Sequence, residues 1–373
     1  MTMKSLLVVF RADASVEIGT GHVMRCLTLA DELTKQGYQC WFICREHRGH
    51  LGDLIVSKGY ELHLLPASPS VEQKSSNSTD NAHTDWLGVP WQQDAEQTVE
   101  AVSPVKTDWL VVDHYTLDAR WERKVASAVG RIMVIDDLAD RKHECALLLD
   151  QNLGRKVSDY DQLVPSDCIK LIGPRFALLR PEFSRFRERS LQRRQQPKLK
   201  RILISLGGVD QKNITRRVLS ELPETSLPPD TELDIIMGGA APFLVEVQQL
   251  ARHLPFRATV SVNVPDMAER MYLSDLSIGA AGSTSWERCC LGLPSIIMVL
   301  ADNQRSAAHA LSERGIAIVV NSAEMVRDEI NQLVTAGNIS GRLAAMTKAG
   351  AEMVNGAGCI RVLQVLTSRG SEF

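Results

Sequence analysis

Several turns of the chain hold residue types that can do chemistry. Gly19-Thr20-Gly21-His22 follows a run of strand-type residues and opens a helical pattern. Two glycines let backbone approach a ligand, and a helix N-terminus attracts negative charge. The positive end of the helix dipole disfavours imidazolium, which would keep His22 neutral and able to take a proton as a general base near neutral pH. The same residues fit a tight turn that His22 merely caps, and local sequence leaves both readings open. A dinucleotide G-x-G-x-x-G would need a glycine at position 24, where the chain has Met24, which argues against a nicotinamide site.

A second turn reads Ile278-Gly279-Ala280-Ala281-Gly282-Ser283-Thr284-Ser285-Trp286-Glu287. Small residues and hydroxyls at a helix start make a phosphate cradle, because free N–H groups point outward. Thr284 and Glu287 also have the T-x-x-E spacing of a capping box, which local sequence favours; otherwise Glu287 is free to accept from ribose hydroxyls. Val111-Val112-Asp113-His114-Tyr115 ends another strand, and Asp113 and Tyr115 either line a crevice there or Asp113 caps the next turn. Gly207-Gly208 with Asn213, and Asn303 after Leu300, are further crevice candidates, with a plain turn and a helix cap as the alternatives.

These turns need elements to position them, and the pattern supplies them. Short Val/Ile/Leu runs at 5–11, 39–45, 61–65, 109–114, 131–136, 146–150 and 169–173 alternate with helical stretches. A second series follows at 201–206, 232–237, 258–262, 276–280, 295–300 and 317–320. Continuous apolar runs suit strands covered on both faces, so the alternation predicts α/β architecture: two doubly wound, Rossmann-like domains with parallel sheets. Val23, Cys26, Leu27, Ala30 and Leu33 follow the helical period, and Gly37 stands where a C-terminal cap belongs. The expected division is a first domain at 1–183, a basic linker at 184–200, a second domain at 201–350 and a tail helix at 351–373 that packs back on the first domain. A polar stretch at 66–90 reads as a surface insertion or a substrate lid. Two such domains facing a cleft would bring the candidate turns together.

Composition excludes other classes. At 373 residues, two domains fit better than three. The net charge of −3 gives no field for nucleic acid, and the arginines of 184–200 read as a solvated helix face or linker with only Phe186 interleaved. No apolar run of about 18 residues marks a membrane span. The eight cysteines show neither a C-x-x-C pair nor zinc spacing, as expected of reduced thiols in a cytoplasmic protein. No metal constellation and no cofactor motif appear, so acid–base and positional chemistry is expected.

Taken together, Arg11-Ala12-Asp13, Gly19-Thr20-Gly21-His22-Val23-Met24-Arg25, Val112-Asp113-His114-Tyr115, Ile135-Asp136-Asp137, Gly207-Gly208, the 279–287 turn and Asn303-Gln304 resemble the UDP-sugar hydrolases of pseudaminic acid biosynthesis. Those enzymes act on UDP-2,4-diacetamido-2,4,6-trideoxy-β-L-altropyranose. The likeness runs from about residue 11 to about 320; the 66–90 insertion and the basic stretch are longer than the family needs. The resemblance implies a fold like that of the metal-independent GT-B glycosyltransferases, with the nucleotide on the second domain. It implies that His22 is the catalytic base, with Tyr115 and Asn303 beside it. It further implies that Gly282, Ser283 and Thr284 meet the diphosphate, Glu287 the ribose, and Gly21, Asn213 and Asn303 the substrate. The implied partner is a small UDP-sugar; the oligomeric state is left open. A glycosyltransferase of the same architecture and a non-catalytic nucleotide-sugar-binding protein are the competing readings.

Overall fold

The computed structural model describes residues 6–67, 84–239, 241–301 and 304–368. It divides into two compact units, 1–178 with 358–373, and 179–357. The first carries a seven-stranded sheet of β1 (Leu7–Ala12), β2 (Gln39–Arg45), β3 (Glu61–Leu65), β4 (Thr107–Asp113), β5 (Val129–Ile135), β6 (Leu147–Asp150) and β7 (Ile169–Ile172), in the order β3-β2-β1-β4-β5-β6-β7. The second carries β8 (Arg201–Ser205), β9 (Glu232–Met237), β10 (Arg257–Val262), β11 (Leu276–Ala280), β12 (Ser295–Met298) and β13 (Ala317–Val320), in the order β10-β9-β8-β11-β12-β13. All these pairings are parallel, so both units are the doubly wound α/β type that the alternating runs imply.

The reason for continuous apolar strands is visible in β1. Val8, Phe10 and Ala12 enter one core, and Leu7 and Val9 enter the core on the opposite face. Phe10 stacks on Phe42 of the neighbouring strand at 4.9 Å between centroids. The helix Gly21–Lys35 buries Val23, Cys26, Leu27, Ala30 and Leu33 against this sheet. Each such leucine stabilises the fold by about 1.5–3 kcal/mol over exposure. Strand order reverses between β1 and β4 in one sheet and between β8 and β11 in the other. At such points the carboxyl-end loops diverge and leave room for a ligand.

The stretch at 184–200 is not a solvated linker. Pro181–Arg193 is an α-helix of the second unit, with Phe183 and Ser190 buried. Arg187, Arg193 and Arg194 turn inward onto helix ends, while Arg185 and Arg189 stay exposed on a solvated helix face. Arg187 donates to the carbonyls of Cys290, Val354 and Ala351 at 2.6–2.7 Å, and Arg194 to those of Leu291, Ser274 and Met271 at 2.8–3.0 Å. Unpaired carbonyls and the negative dipole end make helix C-termini natural partners for guanidinium groups. The passage between units therefore falls at Leu178–Leu179 and not within the basic run.

The tail also divides differently. The helix Ile339–Met353 belongs to the second unit, and Gly358–Thr367 belongs to the first, where Cys359, Val362 and Leu366 enter the core. Trp109 Nε1 donates to the carbonyl of Leu366 at 2.9 Å. A Cβ on Gly358 would lie 2.1 Å from the Ala177 carbonyl, so only glycine permits this approach. Of the 66–90 insertion, residues 68–83 lie outside the described residues; Thr84–Leu87 forms a short 3₁₀ turn and Trp91–Val102 an α-helix. Among the described residues no helix is long and apolar enough to cross a membrane.

Candidate active site

The chemistry of the first unit gathers where β1 and β4 part. Gly21 opens the helix and is exposed, and His22 beside it is 7% exposed. His22 does not act as a cap. Its Nδ1 lies 2.6 Å from Oδ1 of Asp113, the last residue of β4. Arg25, three residues along the helix, holds the same carboxylate twice, Nε to Oδ2 at 2.5 Å and Nη2 to Oδ1 at 2.6 Å. Burial works to raise the Asp113 pKa, but Arg25 and then His22 outweigh it and hold the carboxyl well below the usual carboxylate range. An ionised Asp113 can only accept, so in the neutral ring Nδ1 carries the hydrogen and Nε2 the lone pair. This is the tautomer that a general base requires.

Tyr115 meets the His22 ring edge-on, with centroids 4.6 Å apart at 87°. Its hydroxyl donates to Asp137 Oδ2 at 2.8 Å, and Arg25 Nη1 pairs with the same oxygen at 2.8 Å. Burial, then the Asp137 charge, lift the phenol well above its usual pKa, so Tyr115 stays a donor. Trp86 stacks on Tyr115 at 5.7 Å and 24°, and its ring lies 6.5 Å from His22. The structure thus brings His22 and Tyr115 together with Asp113, Arg25, Asp137 and Trp86. Arg25 and Asp137 stood within the motifs without a role. Trp86 carries no sequence signal at all, since it lies in the polar stretch at 66–90.

A second cluster closes the ends of β5 and β6. Tyr160 Oη lies 2.9 Å from Asp136 Oδ2 and 2.8 Å from Asp150 Oδ2. The two carboxyls compete for the one hydroxyl proton, and Asp150 Oδ2 also accepts from Arg155 Nε at 2.9 Å. Burial first, and the Asp137 charge second, push Asp150 up to about 7 against the pull of Arg155, which makes it the more readily protonated of the two.

In the second unit, Gly282 and Ser283 are exposed and Thr284 is half-buried at the start of the helix Thr284–Cys290. No side chain caps that helix start, so the capping box is not formed. Glu287 instead turns to Arg180, 3.6 Å away. Burial raises the Glu287 pKa, and Arg180 works against that rise. Asn213 sits in left-handed backbone, φ 52°, ahead of the helix Ile214–Glu221. Asp210 does the capping there, accepting from the N–H groups of Ile214 and Thr215 at 2.8 and 2.9 Å. The Asn213 amide donates to Glu246 at 3.2 Å, and its Oδ1 has no partner among the described residues. Asn303 lies outside the described residues.

Sequence reasoning missed Arg288. It is buried, donates to the Ala280 carbonyl at 2.7 Å and to Ser285 Oγ at 2.9 Å, and so ties the strand end to the helix start. Burial lowers its pKa to about 10 against the pull of neighbouring Cys289 and Glu287. A Cβ on Gly279 would lie 1.9 Å from Arg288 Nη1, so the glycine makes room for the guanidinium. In the sequence the one clue was the glycine at position 279. Among the described residues no group of three or more His, Cys, Asp or Glu side chains is arranged to hold a metal ion.

Residues 201–357 match the glycosyltransferase family 28 C-terminal domain. Over 312 residues, 83% of this chain and 98% of its relative, the sequence is 28% identical to the UDP-2,4-diacetamido-2,4,6-trideoxy-beta-L-altropyranose hydrolase of Campylobacter jejuni. The resemblance read from the motifs therefore spans most of the chain. The structure is similar to that of Acinetobacter baumannii MurG, with a TM-score of 0.68 at 17% identity, over 97% of this chain and 99% of that one. It is also similar to UDP-GlcNAc 2-epimerase from Neisseria meningitidis bound to UDP-GlcNAc, with a TM-score of 0.58 at 14% identity, over 97% and 99% of the two chains. The fold is that of the GT-B glycosyltransferases, of which MurG is an example.

Proposed function

We propose that this chain hydrolyses UDP-2,4-diacetamido-2,4,6-trideoxy-β-L-altropyranose to UDP and the free sugar. The observation that carries the reading is the His22–Asp113 pair, 2.6 Å apart at the point where strand order reverses. With Nδ1 committed to Asp113, Nε2 takes a proton from water as that water attacks C1 from the face opposite UDP. The new bond from water oxygen to C1 forms as the bond from C1 to the phosphate oxygen breaks, and its electron pair leaves with UDP. Tyr115, Asn303 and the backbone at Gly21 position sugar and water. On the second unit, Gly282, Ser283 and Thr284 receive the diphosphate, with Arg288 as the positive charge beneath them. Glu287 accepts from the ribose, and Asn213 and Asn303 contact the substrate. The eight cysteines, all buried and none in a disulfide among the described residues, suit the reducing cytoplasm where we place the reaction.

A transferase that hands the sugar to another acceptor is the second reading, favoured by the family 28 match and the likeness to MurG. Release of UDP and free sugar without any acceptor, at a rate that candidate acceptors leave unchanged, supports hydrolysis. A strict need for an acceptor supports transfer, and tight UDP-sugar binding without turnover supports a binding protein. In the hydrolase, His22→Ala loses roughly 10²–10⁴-fold in kcat, as removal of a general base does. A folded His22→Ala protein with full turnover contradicts the assignment.

A further inference from the structure

A group of buried carboxyls that the proposed reaction does not use is wired to the His22–Asp113 pair. Asp136 follows β5, Asp150 ends β6, and Tyr160 closes the 3₁₀ turn Val157–Tyr160. All three are buried, and the Tyr160 hydroxyl is within hydrogen-bond reach of both carboxyls. Two links join this cluster to Asp137. The Asn152 N–H donates to Asp150 Oδ1 at 2.8 Å, and the Asn152 side-chain amide donates to the Asp137 carbonyl at 3.1 Å and to Asp137 Oδ1 at 3.4 Å. Arg155 donates from Nε to Asp150 Oδ2 at 2.9 Å and from Nη2 to the Asp137 carbonyl at 3.2 Å. Asp137 Oδ2 in turn accepts from Tyr115 and Arg25, both at 2.8 Å. Tyr115 packs on the His22 ring, and Arg25 holds Asp113.

Charge does not balance along this path. Among the described residues, Asp113, Asp136, Asp137 and Asp150 meet the guanidiniums of Arg25, Arg141 and Arg155, with Asp113 and Asp137 sharing Arg25. Asp140 and Asp159, exposed on the outer sides of Arg141 and Arg155, add further negative charge. His143, whose charge would also favour an ionised Asp136, is paired with Glu122 at 2.7 Å. A proton offsets the surplus carboxylate, and burial and the Asp137 charge place it on Asp150, pushed up to about 7 against Arg155. When Asp150 ionises it draws on Arg155 and repels the Asp137 carboxylate. Asp137 then leans on Arg25 and Tyr115, which leaves Asp113 less neutralised and a stronger partner for the His22 ring. We infer that Asp150 is a positioning residue for the reaction: the proton it gains or loses resets Asp137 and, through Arg25 and Tyr115, the hold of Asp113 on His22. The inference rests on His22 being the base, as proposed above.

The test is ¹³C NMR of wild type and Asp150→Asn with the tyrosine ring carbons labelled. The chain has five tyrosines, and Tyr115→Phe and Tyr160→Phe assign the two signals needed. Tyr160 reports the ionisation of Asp150 directly, and Tyr115 reports its arrival at Asp137. The Tyr115 phenol itself stays protonated, so its signal moves only when a neighbour titrates. In wild type both signals are expected to step at one midpoint, at a pH of about 7. Asp150→Asn mimics the protonated acid and is expected to lose that step from both. In turnover, Asp150→Asn should match wild type at about pH 6 and fall roughly 2- to 30-fold below it in kcat at about pH 8, the range of coupling through such networks. A loss of the same factor at both pH values means a merely structural role and overturns the inference. So does a step at Tyr160 that Tyr115 does not share, no step at either, or a Tyr115 step at that midpoint that survives in Asp150→Asn. If wild type releases no sugar, the hydrolase reading fails while the two signals still decide the role of Asp150. If Asp150→Asn does not fold, the signals are compared in His22→Ala, where a step shared by both tyrosines supports the inference and a step at Tyr160 alone overturns it.

Discussion

His22 and Asp113 are 91 positions apart in sequence and 2.6 Å apart in the fold, and the proposed chemistry depends on that contact. Asp113 fixes the ring by accepting from Nδ1–H. Asp113→Asn removes the charge and permits the opposite tautomer, so kcat should fall roughly 10²–10⁴-fold with little change in KM. Because the two act as one unit, adding His22→Ala to Asp113→Asn should cost little more, whereas losses that multiply would show that they work independently. Asp150 makes a prediction of opposite kind. Its pKa of about 7 in the fold lies above the roughly 3.9 of an unfolded aspartate, so between those values the folded state binds the extra proton. The stability it contributes is full below the unfolded value and is lost as pH rises through about 7. The depressed Asp113 behaves in reverse, contributing above its unfolded value and losing that on acidification. Asp150→Asn keeps a neutral group beside Tyr160, so its unfolding free energy should decline less than that of wild type from about pH 5 to about 8, by up to about 1.4 kcal/mol per pH unit. Parallel pH profiles for the two proteins would exclude Asp150 as the shared-proton site.

At the scale of elements, the helix Pro181–Arg193 shows how charge can be read the wrong way round. A run of arginines looks the same in sequence whether it faces water or three helix ends. Only placement of the carbonyls of Cys290, Ala351 and Val354 around Arg187 decides it. Arg187→Ala should leave those carbonyls short of a donor and cost about 1–3 kcal/mol. Hydrogen exchange should show the loss in the last turns of Thr284–Cys290 and Ile339–Met353; unchanged protection there would refute the capping role. The strands were legible for the opposite reason. Leu7 to Phe10 bury on both faces, so that run has to be apolar; Arg11, buried one residue on, is accepted there because Asp13 and Asp94 pair with it. The helix at 21–35 was legible because one face carries all its buried leucines. Glu287 was misread locally because its T-x-x-E spacing fits a cap, and Arg180, more than a hundred positions away, captures it instead.

For the whole molecule, the two parallel sheets and the place of His22 and Tyr115 could be read from turns at strand ends. The network that tunes them could not. Arg25, Asp113 and Asp137 come from a helix and the ends of β4 and β5, and no local pattern links those places. Trp86 comes from a stretch whose composition speaks only of solvent. The exchange of the chain between units, at 178–179 and again at 357–358, was set by packing of Val362 and Leu366 and not by any break in composition. In the function proposed above, near-neutral net charge would leave the binding of an anionic nucleotide to local groups such as Arg288 and the turn at 282–284. The central claim is that water, activated in the first unit, attacks the anomeric carbon. Turnover in ¹⁸O-water followed by mass spectrometry of both products tests it most directly. The account predicts the label in the free sugar and none in UDP; label in UDP would mean attack at phosphorus and would contradict it.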